Sequence, residues 1–257
     1  ITTFAGTKER YKPIKKETTA KKKTHPLKTI KILCRNKYFI LITLAFAVIY
    51  TSLGLTGGSR IYYAKYVLGD EMLNSTMTMF NYIPTILTIM LIPVFTKRFG
   101  KIKALFVGFL FYAAGLVLEI AGPVNLPMIY TGLVLQGIGH AALYSCLFAI
   151  VGDVVDYSEW KDGIREEGIT YSVTSFGQKI GTGLGTAALG WILAAGHYDG
   201  TAAVQSASAI FAIKGLFLYL PLVITVIVLI IWYLFMGIDK IYPTVRKELD
   251  ERRETIK

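Results

Sequence analysis

The sequence predicts an all-α integral membrane protein with six transmembrane helices and both ends on one side of the bilayer. Three observations predict it. Six apolar runs lie within 257 residues, each near the ~20 residues a helix needs to cross a hydrocarbon core. Hydrophobic residues make up 53% of the chain and charged ones 18%, fewer than the roughly one quarter that covers a soluble domain. The Lys and Arg residues sit in blocks between the apolar runs and are not spread over one surface. That pattern makes nucleic acid the weaker reading of a net charge of +11.

Taken in order, residues 1–37 contain twelve Lys/Arg, including Lys21, Lys22 and Lys23, and have almost no apolar periodicity. They read as a solvated basic cytoplasmic loop, with a lipid-headgroup sensor as the other reading. The bundle occupies 38–236, with spans at Tyr38–Thr56, Leu73–Phe95, Ala104–Ala121, Leu126–Val151, Ile169–Ala195 and Ile210–Met236. Each is expected to be helical, because backbone polar groups in lipid must pair within the segment. Pro84, Pro93 and Pro221 are expected to mark bends. Residues 237–257 form a cytoplasmic tail.

Orientation follows from counting Lys and Arg. Twelve lie in 1–37, four in Thr96–Lys103, two in Asp153–Gly168 and six after Gly237, so twenty-four of twenty-eight fall on one face. The opposite connections hold Arg60 and Lys65, with Lys214 near the last span, while Lys179 lies inside a span. Both termini are therefore expected to be cytoplasmic. Cys34 and Cys146 fall at different depths and predict no disulfide. The first 36 residues hold no hydrophobic core of a signal peptide. The chain opens at Ile1 within what reads as a loop, as expected of a piece of a longer protein.

Polar residues at bilayer depth are the candidates for function. Lys179 falls about ten residues into the fifth span, with Ser172, Ser175, Thr182 and Thr186 on its helical face. Hydroxyls around an ammonium suit a sugar or a carboxylate in a wet cavity; a buried ion pair is the plainer alternative. Gly181, Gly183, Gly185 and Gly190 let neighbouring helices approach closely. Asp153, Asp156 and Glu159 follow the fourth span at helical spacing, and Arg165, Glu166 and Glu167 precede the fifth. Opposite charges there suit an ionic latch at an inner mouth, or an ordinary hydrated loop. Gln136, His140, Tyr144 and Ser145 recur at helical spacing in the fourth span. Glu119, Tyr62, Tyr63 and Tyr66 read as interfacial residues. No HExxH, GxSxG or GxxxxGK[ST] motif is present. No enzyme and no metal site are predicted, and an ion gradient is left as the driving force.

Six spans with both ends inside match half of a twelve-helix transporter. The loop FTKRFGKIK (Phe95–Lys103) resembles the basic glycine-containing loop of the major facilitator superfamily. The stretch DVVDYSEWKDGIREEGITYSVTSFGQKIG (Asp153–Gly181) is more specific. It resembles the cytoplasmic loop and following helix of the glycoside–pentoside–hexuronide:cation symporters, the melibiose permease family. The six spans then correspond to that family's C-terminal half, and the basic segment to its central loop.

The resemblance implies a sugar transporter of the cytoplasmic membrane, driven by Na⁺ or H⁺ symport and alternating access. Lys179 matches a lysine at the sugar and cation site, with Thr174, Ser175 and Gln178 approaching the sugar. Tyr144 stands where an aromatic stacks near the sugar, a tryptophan in melibiose permease. Asp153, Asp156, Glu159 and Arg165 match an inner-gate cluster. The implied partners are a galactoside, xyloside or glucuronide, the lipid bilayer, and an N-terminal six-helix half. That half holds most of the coupling-cation ligands, and no other cofactor is implied. A sugar uniporter or a non-transporting membrane scaffold or sensor is the alternative.

Overall fold

A computed structural model describes residues 33–163, 165–202 and 204–255; the basic segment 1–32 lies outside them. All regular structure among them is helical. The helices are α1 (Lys37–Tyr66), α2 (Leu73–Ile89), α3 (Ile92–Phe99), α4 (Lys101–Ala121) and α5 (Leu126–Asp162). They are followed by α6 (Glu167–Ala195), α7 (Ala207–Lys214), α8 (Leu220–Phe235) and α9 (Gly237–Thr255).

Several boundaries differ from the sequence expectation, each for a physical reason. The first helix runs past Thr56 to Tyr66. Gly54, Gly57 and Gly58 dilute its hydropathy without ending it, because Gly54 and Gly58 pack against Thr182 and Leu189 of α6. The second span is broken into α2 and α3, which meet at 55°, and Pro93 sits in the first turn of α3, where its missing N–H costs nothing. The fourth continues past Val151 to Asp162 as a helix of 37 residues. At 1.5 Å per residue it is about 55 Å long, so its last turns stand clear of a ~30 Å core. Asp153, Asp156 and Glu159 are therefore helical, and the connecting turn is confined to Gly163–Glu166, with Gly163 left-handed at φ 68°. The last span contains a π-helical turn, Gly215–Tyr219, one turn ahead of Pro221, whose ring disrupts the ladder behind it. The tail after Gly237 is helical through Thr255.

Helices α1, α4 and α5 are long and apolar enough to cross a membrane, as is the continuous helical run Ala207–Arg252, from α7 into α9. The bent pair of α2 and α3, taken as one, makes a fifth span. The sixth, α6, is 29 residues long but falls short in apolar content, because one of its faces is glycine and another is hydroxyls and a lysine. In the bundle α6 packs along α1, α4 along α5, and α2 along the far side of α5, while α8 fills the space between α1 and α4. Val223, Val226, Ile227, Ile230 and Leu234 of α8 stay exposed, as expected of a lipid-facing surface. One buried cluster, around Phe46, Leu105, Trp232 and Phe235, reaches the basic end, where α9 docks through Ile238, Val245 and Leu249. A second, around Leu55, Tyr63, Met77 and Phe217, closes the opposite end.

The α1–α6 contact is a glycine seam. A Cβ on Gly181 would lie 2.3 Å from Ala47 O, and one on Gly185 would lie 2.2 Å from Thr51 O. Only glycine lets the two backbones approach that closely. Gly183 and Gly190, by contrast, face open space.

Candidate functional site

The seam decides where Lys179 lies. On a helix of 3.6 residues per turn, Lys179 is about 160° round the axis from Gly181, so it points away from α1. The residue is exposed and borders an open depression of about 420 Å³ with Tyr171, Ser172, Ser175 and Phe176. Thr182 and Thr186 extend the same exposed stripe, each donating its hydroxyl one turn back, to Gln178 O at 3.0 Å and Thr182 O at 2.9 Å. No ion-pair partner of Lys179 occurs among the described residues.

The other residues expected around Lys179 do not all join it. Ser175 does. Gln178 is half-buried at the edge of the seam. Thr174 is fully buried, and its hydroxyl donates to Thr170 O and Tyr171 O, so it belongs to the packed face of α6. Tyr144 borders a different opening.

That second opening lies between α1, α2 and α5, encloses about 240 Å³, and is lined mainly by polar groups, among them Arg60, Asn81, Tyr82, His140 and Tyr144. His140 Nδ1 lies 3.3 Å from Asn81 Oδ1, and Asn81 Nδ2 donates to Leu133 O at 3.2 Å. Thr85 donates to Gly137 O at 2.9 Å, so α2 is held to α5 by side chains that define one wall. Arg60, read from sequence as a loop residue, projects from the outer part of α1 and donates through Nη1 to Thr78 Oγ1 at 3.2 Å.

Two further expectations are corrected. Glu119 is not interfacial but fully buried, with Oε1 accepting from Gln136 Nε2 at 2.7 Å. Tyr63 is equally buried and donates to Pro123 O, while Tyr62 and Tyr66 cluster with Tyr198.

At the basic end the charged residues form two connected pairs of contacts. Asp153 is 6% exposed and takes both oxygens to Lys101 Nζ, at 2.6 and 2.8 Å. Its partner is thus the first residue of α4, not Arg165. Arg165 donates to Asp156 at 2.8 Å and Glu159 at 2.5 Å, and also pairs with Glu167. Partial burial opposes the guanidinium charge, but the hydrogen bonds to Glu159, Asp156 and Glu167 outweigh it and raise the pKa above its usual value. Tyr242 of α9 donates to the second oxygen of Asp156 at 3.0 Å, and its ring lies under Lys101. Asp239 accepts from Ile102 N and Lys103 N, capping the start of α4. These α9 contacts join residues more than 80 positions apart, and no local pattern signals them.

An α-helical bundle of this connectivity, with a cationic stripe and a polar cleft but no catalytic constellation, fits a carrier. Residues 1–240 match the MFS/sugar transport protein family. The chain belongs to that family. This is the relationship to which the Asp153–Gly181 stretch pointed, and it makes the bundle part of a major facilitator superfamily transporter, not an enzyme. The chain is 32% identical over 255 residues to the isoprimeverose transporter of Lactiplantibacillus pentosus, covering 97% of this chain and 51% of that one. It is 26% identical over 228 residues to the glucuronide carrier protein homolog of Escherichia coli K12, covering 88% and 50%. An uncharacterized symporter of Bacillus subtilis 168 is 25% identical over 231 residues, covering 87% and 49%. The chain spans about half the length of the curated relatives it matches.

Proposed function

We propose that this chain is the C-terminal half of a sugar or glycoside symporter of the cytoplasmic membrane, with both ends of the chain on the cytoplasmic side. The observation that carries the reading is Lys179: an exposed cation near the middle of a 29-residue helix, on a hydroxyl stripe opposite the seam. A cation facing acyl chains at that depth costs roughly 2.5–3.5 kcal/mol, whereas one facing a watery hollow shared with a second bundle does not. Lys179 then holds a sugar hydroxyl or a carboxylate of the N-terminal half, with Ser175 and Gln178 beside it, while Tyr144 lines the separate cleft between α1, α2 and α5. The cargo named for the relatives, isoprimeverose and a glucuronide, supports a glycoside. Na⁺ or H⁺ supplies the drive. The Arg165–Asp156–Glu159 contacts form when the inner side is shut and part when it opens.

The test is concentrative uptake by the full-length transporter in proteoliposomes, with imposed Na⁺ or H⁺ gradients. Lys179→Ala should abolish accumulation of a β-glycoside at unchanged expression. Accumulation at the wild-type level by that variant would refute the assignment, and uptake indifferent to both gradients would refute symport.

A further inference from the structure

We propose that the cleft between α1, α2 and α5 is a binding site for the anionic group of an acidic sugar, with Arg60 as its anchor. The inference rests on the transport reading above but on different residues. Lys179 does not line this cleft.

Arg60 is six residues from the end of α1, about 9 Å inside it along the helix axis. An arginine at that depth ordinarily has an acidic partner, and this one has no ion pair among the described residues. Of its five N–H donors, one reaches the Thr78 hydroxyl at 3.2 Å, and Nε is sealed from solvent with no acceptor. The buried acid of the neighbouring helices, Glu119, is held by Gln136 and makes no ion pair with it. The guanidinium is a planar fork that fits carboxylate and sulfonate oxygens, and Arg60 lines the cleft from which an anionic ligand would reach it.

The rest of the cleft fits the rest of such a ligand. About 240 Å³ accommodates a pyranose ring. The amide of Asn74 and the imidazole of His140 offer donors and acceptors to ring hydroxyls, and Tyr82 and Tyr144, 49% and 46% exposed, offer aromatic faces at the mouth. A neutral sugar would use these groups and leave Arg60 uncompensated. An acidic one uses all of them.

The experiment measures binding to the purified full-length transporter by isothermal titration, comparing methyl β-D-glucuronide with methyl β-D-glucoside. The two differ only in the group meant for Arg60. Wild type should prefer the glucuronide by about 10- to 100-fold, the worth of hydrogen bonds to a charged group. Arg60→Gln should erase that preference while keeping glucoside binding, and Arg60→Lys should retain part of it, since it keeps the charge and loses the fork. Equal binding of both sugars by wild type, or a glucuronide preference that survives in Arg60→Gln, overturns the inference while leaving sugar transport intact. Binding of neither sugar also overturns the inference, and the uptake assay above decides the transport reading by itself.

Discussion

The glycine seam yields the sharpest prediction, because the geometry grades its members. Replacing Gly185 or Gly181 with alanine places a methyl 2.2 or 2.3 Å from a carbonyl oxygen of α1. Ordinary contact needs about 3.4 Å, so α1 and α6 must part by roughly 1 Å along the middle of their length. Overpacking of that kind costs about 1–3 kcal/mol. Gly177 is the intermediate case, at 3.2 Å from Thr43 O, where a few tenths of an ångström suffice. Gly183 faces open space, and alanine there should be neutral or gain up to about 1 kcal/mol of helix propensity. The assay is thermal unfolding of the full-length transporter in detergent, followed by tryptophan fluorescence. The expected order of midpoints is Gly183→Ala at or above wild type, Gly177→Ala slightly below, then Gly181→Ala and Gly185→Ala lowest. Midpoints for the last two that match Gly183→Ala would refute close α1–α6 contact. Lys179 would then lose the argument that turns it away from α1.

Two further outcomes follow from the placement of polar side chains. The Lys101–Asp153 pair is asymmetric, with side chains 34% and 8% exposed. Removing the cation (Lys101→Met) strands a buried carboxylate and should cost more than Asp153→Asn, which leaves a lysine able to reach water. Breaking a fully buried pair costs about 3–5 kcal/mol, so Lys101→Met should approach that range and Asp153→Asn should fall to about 1–2 kcal/mol. Denaturation midpoints of the two variants check the order, and equal losses would contradict it. On α6, Thr174→Val should leave the apparent affinity for sugar unchanged, because that hydroxyl is spent within its own helix. Ser175→Val, beside Lys179 in the open depression, should weaken it several-fold in the same uptake assay.

What was legible in the sequence is what depends on hydropathy and helical period. The all-helical class, the lysine stripe of α6 and the charge block at one end all follow from residue type and spacing, and the structure has them. Of the six expected spans, the second is broken at 55° and α6 falls short in apolar content. The departures concern residues whose burial depends on another helix. Arg60 falls outside the first span when hydropathy ends it at Thr56, and the helix continues to Arg60 because Gly54 and Gly58 pack against α6. Glu119 was taken as interfacial since it stands near a helix end. Its burial follows from Gly132 on α5, where an added Cβ would meet the Glu119 side chain at 2.6 Å. The resemblance sets Thr174 and Ser175 together near the sugar, while adjacent residues on a helix point about 100° apart, so Thr174 lies on the packed face and Ser175 on the open one.

The same reasoning separates the two roles of charge at the basic end. Asp153, Asp156 and Glu159 were expected to act together, but residues three apart on a helix diverge by about 60°, and that angle splits them. Asp153 turns inward to Lys101 and is buried. Asp156 and Glu159 turn outward to Arg165, whose side chain is 40% exposed. The inward pair, with Asp239 capping α4 and Tyr242 bridging, ties α4, α5 and α9 into one rigid block. The outward contacts join α5 to α6 across a four-residue turn and are solvated, so each is worth no more than about 1 kcal/mol. A contact that weak is a poor strut and a suitable latch. It can be exchanged for contacts to another surface at little cost, while the buried pair keeps the block from deforming as it moves.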